Sequence, residues 1–404
     1  MKKTFKRIFL LFAVIVILAQ IPFVYRRIQT GRLAEKLRVE QDALQTKPPR
    51  TDGYDEYKGV IHVHTSLGGH STGGFDELTA AAAANDLDFV VMTEHVSTAY
   101  DTAALTLNGF HGKTLFVGGN EGDTADGDRM LVVPGGGDVA GLHMLPTKTA
   151  FEKTHADNRL VLVAYPEAYK TWDADFDGAE VFSLNTNSKN VNPFLVIFDL
   201  IWSFPSYPEL TTASYFERPN ANLQKYDEVA ANRRISLFAG LCAHSNIGYH
   251  LLGDDVGNKP IGFKIDPYAM VFRLARLHLV TTKGRPLTRE SLVETFKKGN
   301  FFNGFDVIGD STGFSFTAKD GDLTKTMGDE VTLGPQTTLT ASAPMPARFV
   351  VFKNGERFFE QADTTEIAVN VTERAAYRIE VYRDALGSPY DKMPWIISNP
   401  IYVR

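Results

Sequence analysis

GVIHVHTSLGGHSTGGFDELTAAAAANDLDFVVMTEH, residues 59–95, is the stretch from which the rest of the chain can be read. It predicts a strand, a glycine-rich loop, a helix and a second strand. Val60, His62 and His64 alternate with Ile61 and Val63, and a period of two sets both histidines on one face of a strand. Residues 75–85 predict an alanine-rich helix, with Asp76 and Glu77 at the positive end of its dipole. Residues 89–93 form a short apolar run of the kind buried on both faces of a parallel sheet. The run ends directly on Glu94 and His95. In a β/α barrel, ligands gather at the C-terminal ends of strands, so these groups would meet at one rim. Three histidines and a carboxylate at successive strand ends predict a transition-metal site.

Upstream, the chain opens with Lys2, Lys3, Lys6 and Arg7, and residues 8–24 are then apolar apart from Gln20 and Pro22. That run reaches the lower end of the roughly 17–25 residues needed to span a bilayer. A signal peptidase would need small residues where Ile17 and Ala19 stand, so residues 1–28 are expected to remain as a single-pass membrane anchor. The very short basic tail favours the cytoplasm, which sets the main domains outside it. Arg26, Arg27, Arg32, Lys36 and Arg38 beyond the span work against that orientation. Residues 29–53 read as a charged helical stalk and a linker, broken at Lys47-Pro48-Pro49-Arg50.

The 404 residues are 44% hydrophobic and 22% charged, an ordinary globular composition long enough for two domains. A net charge of -6 argues against a surface built for nucleic acid, which makes a nuclease the weakest reading. With Cys242 as the single cysteine, no internal disulfide and no cysteine-rich zinc module is available. The triple glycine 135–137 lacks the Lys-Ser/Thr of a phosphate loop and reads as a turn.

His62-x-His64 followed by Thr93-Glu94-His95 resembles the polymerase and histidinol phosphatase (PHP) superfamily of metal-dependent phosphoesterases. That family opens with His-x-His and closes its second strand with Thr-Asp-His; here Glu94 keeps the carboxylate and lengthens its reach. The resemblance extends to about Phe305. It implies an α/β fold with a distorted, seven-stranded β/α barrel over residues 54–305. A small all-β sandwich over residues 306–404 follows, as in membrane-anchored members of the family. In residues 306–404, Val331, Leu333, Phe349, Val351, Ile367, Val369, Tyr377, Ile379 and Val381 alternate with polar neighbours. Asn354-Gly355 marks a two-residue hairpin turn, and residues 395–403 a final strand.

By the same resemblance, His62, His64 and Glu121 hold one ion, and Glu94 and His95 belong to neighbouring sites. His244 completes the cluster or binds phosphate, and Glu121 and His244 are the expected catalytic groups. His70 lies in the loop where relatives carry a further ligand. Three positions depart from the pattern. Tyr165 stands for a histidine, Cys242 for the aspartate of Gly-x-Asp-Ala-His, and Arg129 for a histidine. Cys242 can still ligate zinc as a thiolate, or be a packed residue. Arg129 suits a substrate phosphate as a bidentate donor. Glu180 reads as structural, and His143 and His155 fall in loop and helix. The apolar residues 194–204 are too few to span a bilayer and either pack on the barrel or touch the membrane near the anchor. The expected cofactors are one to three divalent ions of zinc, manganese or iron. The expected function is hydrolysis of a small phosphorylated substrate by a metal-activated water. The alternative is a degenerate scaffold that binds a ligand or partner without hydrolysis.

Overall fold

A computed structural model describes residues 2–44, 53–188, 191–252, 261–320 and 323–404. The linker expected at Lys47-Pro48-Pro49-Arg50 lies outside the described residues. The first helix, α1 (Lys2–Leu44), is continuous across the expected boundary between anchor and stalk. The large apolar side chains of residues 8–18 are exposed, and the helix is long and apolar enough to cross a membrane.

The first half of the body runs β1 (Tyr54–Val63), α2 (Phe75–Ala84), β2 (Phe89–Met92), β3 (Glu94–His95), α3 (Thr102–Leu105) and β4 (Gly109–His111). It continues through β5 (Thr114–Val117), β6 (Asn120–Asp123), β7 (Arg129–Val133), α4 (Thr147–Ala156), β8 (Leu160–Val163) and β9 (Gly178–Ser183). Three short helices follow, α5 (Leu184–Ser188), α6 (Pro193–Trp202) and α7 (Pro208–Ala213), then α8 (Asn220–Ala230) and β10 (Ser236–Gly240). Next come β11 (Gly248–Leu252), β12 (Ile261–Lys264), α9 (Tyr268–Val271), β13 (Arg276–Thr282), α10 (Arg289–Lys298) and β14 (Phe301–Gly304). The last part is all strand. It holds β15 (Ser315–Asp320), β16 (Leu323–Thr326), β17 (Glu330–Val331), β18 (Thr338–Lys353), β19 (Glu356–Asn370), β20 (Ala375–Tyr382), β21 (Ile396–Ser398) and β22 (Ile401–Val403).

The fold is mixed α/β with one large sheet. Its order is β16-β15-β18-β20-β21-β14-β13-β1-β2-β5-β4, and a second sheet runs β10-β9-β8-β7-β6-β3. The two sheets meet twice. Thr93 alone separates β2 from β3, and Gly118-Gly119 separate β5 from β6. On the other side, the chain leaving β10 turns onto the end of β1. There Leu241 N donates to the Ile61 carbonyl (3.1 Å), Ala243 N to His62 (3.0 Å), and His64 N to Ala243 (3.0 Å). The apolar runs β2, β5 and β8 are fully buried, as short strands covered on both faces require. α2 lays Leu78, Ala81 and Ala82 against the core.

The C-terminal strands do not stand apart as a separate sandwich. They continue the large sheet, because β21 pairs with β14 in antiparallel register (Phe302 with Ser398, Gly304 with Ile396). The boundary expected at Phe305 therefore falls inside one hydrogen-bonded sheet. The Asn354-Gly355 turn forms as expected, with φ of 48° and 87° between paired Lys353 and Glu356. The single final strand expected over residues 395–403 is two strands, split at Asn399-Pro400, where proline has no amide hydrogen for a ladder.

Candidate metal centre

His62 sits at a β-bulge rather than in regular alternation. The β1–β2 register shifts between Ile61 and Val63, and His62 has φ 68°. The inserted residue sends Val63 to the same core cluster as Val60, while Ile61 joins another. Positive φ recurs around the rim at Tyr165 (51°), Cys242 (46°) and Ser245 (50°), a concentration of backbone strain of the kind found at functional sites.

The bulge brings His62 and His64 together, with ring centroids 5.2 Å apart. His64 stacks on His95 (4.6 Å) and on His244 (4.3 Å). Three imidazole nitrogens converge on one oxygen. Glu121 Oε2 lies 3.4 Å from His62 Nε2, 3.2 Å from His64 Nε2 and 3.5 Å from His95 Nδ1. Yet Glu121 Oε2, His62 Nε2 and both ring nitrogens of His64 are buried with no hydrogen-bond partner. Each such orphan costs about 1–3 kcal/mol, and four within a few ångströms fit a bound cation better than a packed core. Two overlapping groups have the reach of metal ligands, His62 with His64 and Cys242, and His64 with His95 and His244. The donor set of imidazoles, a carboxylate and a thiol suits zinc or a similar transition ion.

The charge states agree with that set. Burial pushes His95 down to about 4, against the pull of Glu121, so its ring is neutral and free to ligate near pH 7. Burial would raise the Cys242 thiol, but His62 and His244 hold it well below the usual value, toward thiolate. Burial also opposes a charged Glu121, and His62 and His64 overcome it. His244 Nδ1 donates to the Cys242 carbonyl (2.8 Å), which leaves Nε2 free.

Glu180 was legible only as structural, and it does more. Its Oε1 lies 2.6 Å from His62 Nδ1, so the carboxylate fixes the ring and aims Nε2 at the cluster. The close approach depends on Gly240, where a Cβ would overlap Glu180 Oε1.

Other expected site residues are placed differently. Glu94 is buried, but its carboxylate accepts from Thr65 N (2.9 Å), Thr65 Oγ1 (2.6 Å) and Thr106 Oγ1 (2.9 Å) and is absent from both ligand groups. It braces the loop after β1 instead of facing the histidines. His70 is exposed, its ring 5.0 Å from His95. Arg129 grips Asp123 at 2.7 and 2.9 Å and reaches Glu121 Oε1 at 3.3 Å. Tyr165 Oη lies 3.0 Å from Cys242 Sγ. His155 pairs with Asp177 (2.9 Å), and exposed His143 turns onto the Ala140 carbonyl.

The cluster opens into a cavity of about 1030 Å³. His95, Arg129, Tyr165, Cys242 and His244 are part of its lining, together with residues of α5, α6, α7 and α9 and of the loops beside them.

No family model and no curated protein sequence matches this chain. Among solved structures it is distantly similar to PsfC from Pseudomonas syringae PB-5123, at 13% identity and a TM-score of 0.35 over 59% of this chain and 88% of that one. A likeness that low carries no argument about fold or activity.

Proposed function

We propose that this chain is a membrane-anchored, metal-dependent phosphoesterase of the PHP type that hydrolyses a phosphate ester with an activated water. The observation that carries the reading is the convergence of His62, His64 and His95 on the orphaned Oε2 of buried Glu121. His62, His64, His95, Glu121, Cys242 and His244 would hold the divalent ions. The chemistry supplied by such ions is neutralisation of phosphoryl oxygens and acidification of water. Arg129, fixed by Asp123 and partly exposed at the cavity, offers its guanidinium to the phosphate. Glu180 holds the His62 ring in place. The circuit of β1, β2 with β3, β5 with β6, β7, β8, β9 and β10, joined back to β1 through Leu241 and Ala243, supports reading the core as a distorted seven-stranded barrel. The exposed apolar surface of α1 supports anchoring.

A second reading, a scaffold that binds without hydrolysis, is favoured by one contact. The Tyr165 hydroxyl occupies Cys242 Sγ at the position where a ligand would be expected. Full-length protein in detergent, loaded with zinc, manganese or iron, should hold one to three ions by elemental analysis. It should hydrolyse an aryl phosphate, and Glu121→Gln and His64→Ala should abolish both properties. Bound metal without turnover on aryl and alkyl phosphates would select the scaffold. Metal-free protein after loading at neutral pH would sink both readings.

A further inference from the structure

Resting on that reading, we propose that the substrate is a lipid phosphate: the phosphate monoester of a long-chain alcohol, taken from the bilayer with its tail in the cavity beside α6. A small polar phosphate would need only the charged end of the site. Here the same cavity runs on past the histidines between apolar walls, including Val196, Leu200, Phe216, Met270 and Leu274. Its volume stands at the upper end of the roughly 300–1,000 Å³ typical of ligand sites.

The position of α6 links that wall to the membrane. α6 packs on α1 where the apolar run 8–24 ends. Phe198 stacks on Phe23 (4.7 Å), Trp202 Nε1 donates to Gln20 Oε1 (2.9 Å), and buried Asp199 pairs with Arg26 (2.8 Å). A third face of α6 carries Phe194 and Ile201, each more than half exposed to solvent (64% and 61%), and Ile197 between them (56%) also lines the cavity. One ten-residue helix thus touches the cavity, the anchor and the level at which the anchor leaves the bilayer. Large apolar side chains exposed at that level rest in the interface, where leaving them in water is unfavourable. A lipid tail crossing under α6 stays in apolar surroundings while its phosphate reaches Arg129. Water then adds to phosphorus and the P–O bond to the lipid breaks. The lipid alcohol keeps the oxygen, takes up a proton and returns to the bilayer, and inorganic phosphate leaves to water.

The test uses full-length, metal-loaded protein in phosphatidylcholine nanodiscs with hexadecyl phosphate carrying a photoreactive diazirine in its tail. Cross-links are expected on Val196, Leu200, Met270 or Leu274, and unlabelled hexadecyl phosphate should compete them away where hexadecanol does not. Cross-links confined to residues 8–18, Phe194 and Ile201 would overturn the proposal, because the tail would then lie only in bulk lipid. A second arm measures KM for soluble alkyl phosphates from ethyl to hexyl. KM should fall roughly fourfold per methylene as the chain enters the apolar wall, and a flat series would also overturn it. Cavity cross-links with no hydrolysis of any ester would leave the lipid site standing and remove the phosphoesterase reading.

Discussion

At the residue scale, the candidate centre depends on the groups behind its histidines as much as on the histidines. Glu180 is buried against His62 Nδ1 and the Tyr165 amide, so its expected effect is on orientation. Changing Glu180→Gln should weaken metal binding about 10–100-fold, measured by competition with a chromophoric chelator, while the fold is retained. Unchanged affinity would show that His62 is aimed by packing alone. Cys242 gives a second measurement. If its thiolate ligates, Cys242→Ala lowers metal content, and Cys242→Asp shifts preference from zinc toward manganese because the harder oxygen replaces sulfur. Equal metal content in wild type and the alanine variant would make Cys242 a packed residue. The histidines were legible because each ends an apolar strand. Glu180 was not, because its role arises from a contact between strands remote in sequence. Glu94 was read as a metal-ligating carboxylate at a strand end, and nothing local to it shows that Thr65 and Thr106 occupy its oxygens.

At the scale of single elements, β13 carries a further buried histidine with a different task. His278 lies between Glu56 of β1 (2.7 Å) and Asp306 after β14 (3.2 Å). Burial alone would lower its pKa, but the two carboxylates raise it to about 9. A folded pKa above the ordinary value of about 6.5 means the stabilisation is fully present below pH 6.5 and is lost as pH rises through 9. The expected loss is about 3 kcal/mol. Thermal melting at pH 6.5 and 9.5 should show a drop in wild type that a His278→Gln variant lacks, and parallel drops in both would refute the assignment. Elements set by neighbouring residues were readable: the Asn354-Gly355 turn, α2 with its acidic first turn, the buried runs β2 and β5. The bulge at His62 was not. Strict alternation is the default of a strand, and an inserted residue shows only when the partner strand fixes the register.

At the scale of the molecule, the C-terminal strands complete the centre's framework. β10 does not find strand partners for all its outward amides. Leu237 N donates instead to Asn399 Oδ1 (2.7 Å) and Ala239 N to Asn303 Oδ1 (2.7 Å). Asn303 Nδ2 in turn donates to the Ile397 carbonyl (3.1 Å), and Asn399 Nδ2 to Phe301 (2.9 Å). All four side-chain bonds are buried, where an unmet amide is costly. A chain ending at residue 305 should therefore be insoluble or fail to retain metal, tested by expressing residues 54–305 and measuring zinc in any soluble fraction. Soluble, metal-replete protein would show that residues 54–305 stand alone. The sequence signalled a change to β-type alternation after residue 306. It did not reveal that these strands join the sheet already begun, since sheet pairing is fixed by contacts between distant segments.

The two asparagines also impose an order on biosynthesis. His62 and His64 are made early, but the strand that delivers Cys242 and His244 is held by Asn399, which is made long after them. A half-made chain has the histidines without the frame that gathers them. An ion taken by this centre would therefore be selected only after Asn399 has been made, from the metal supply of the compartment in which the chain folds.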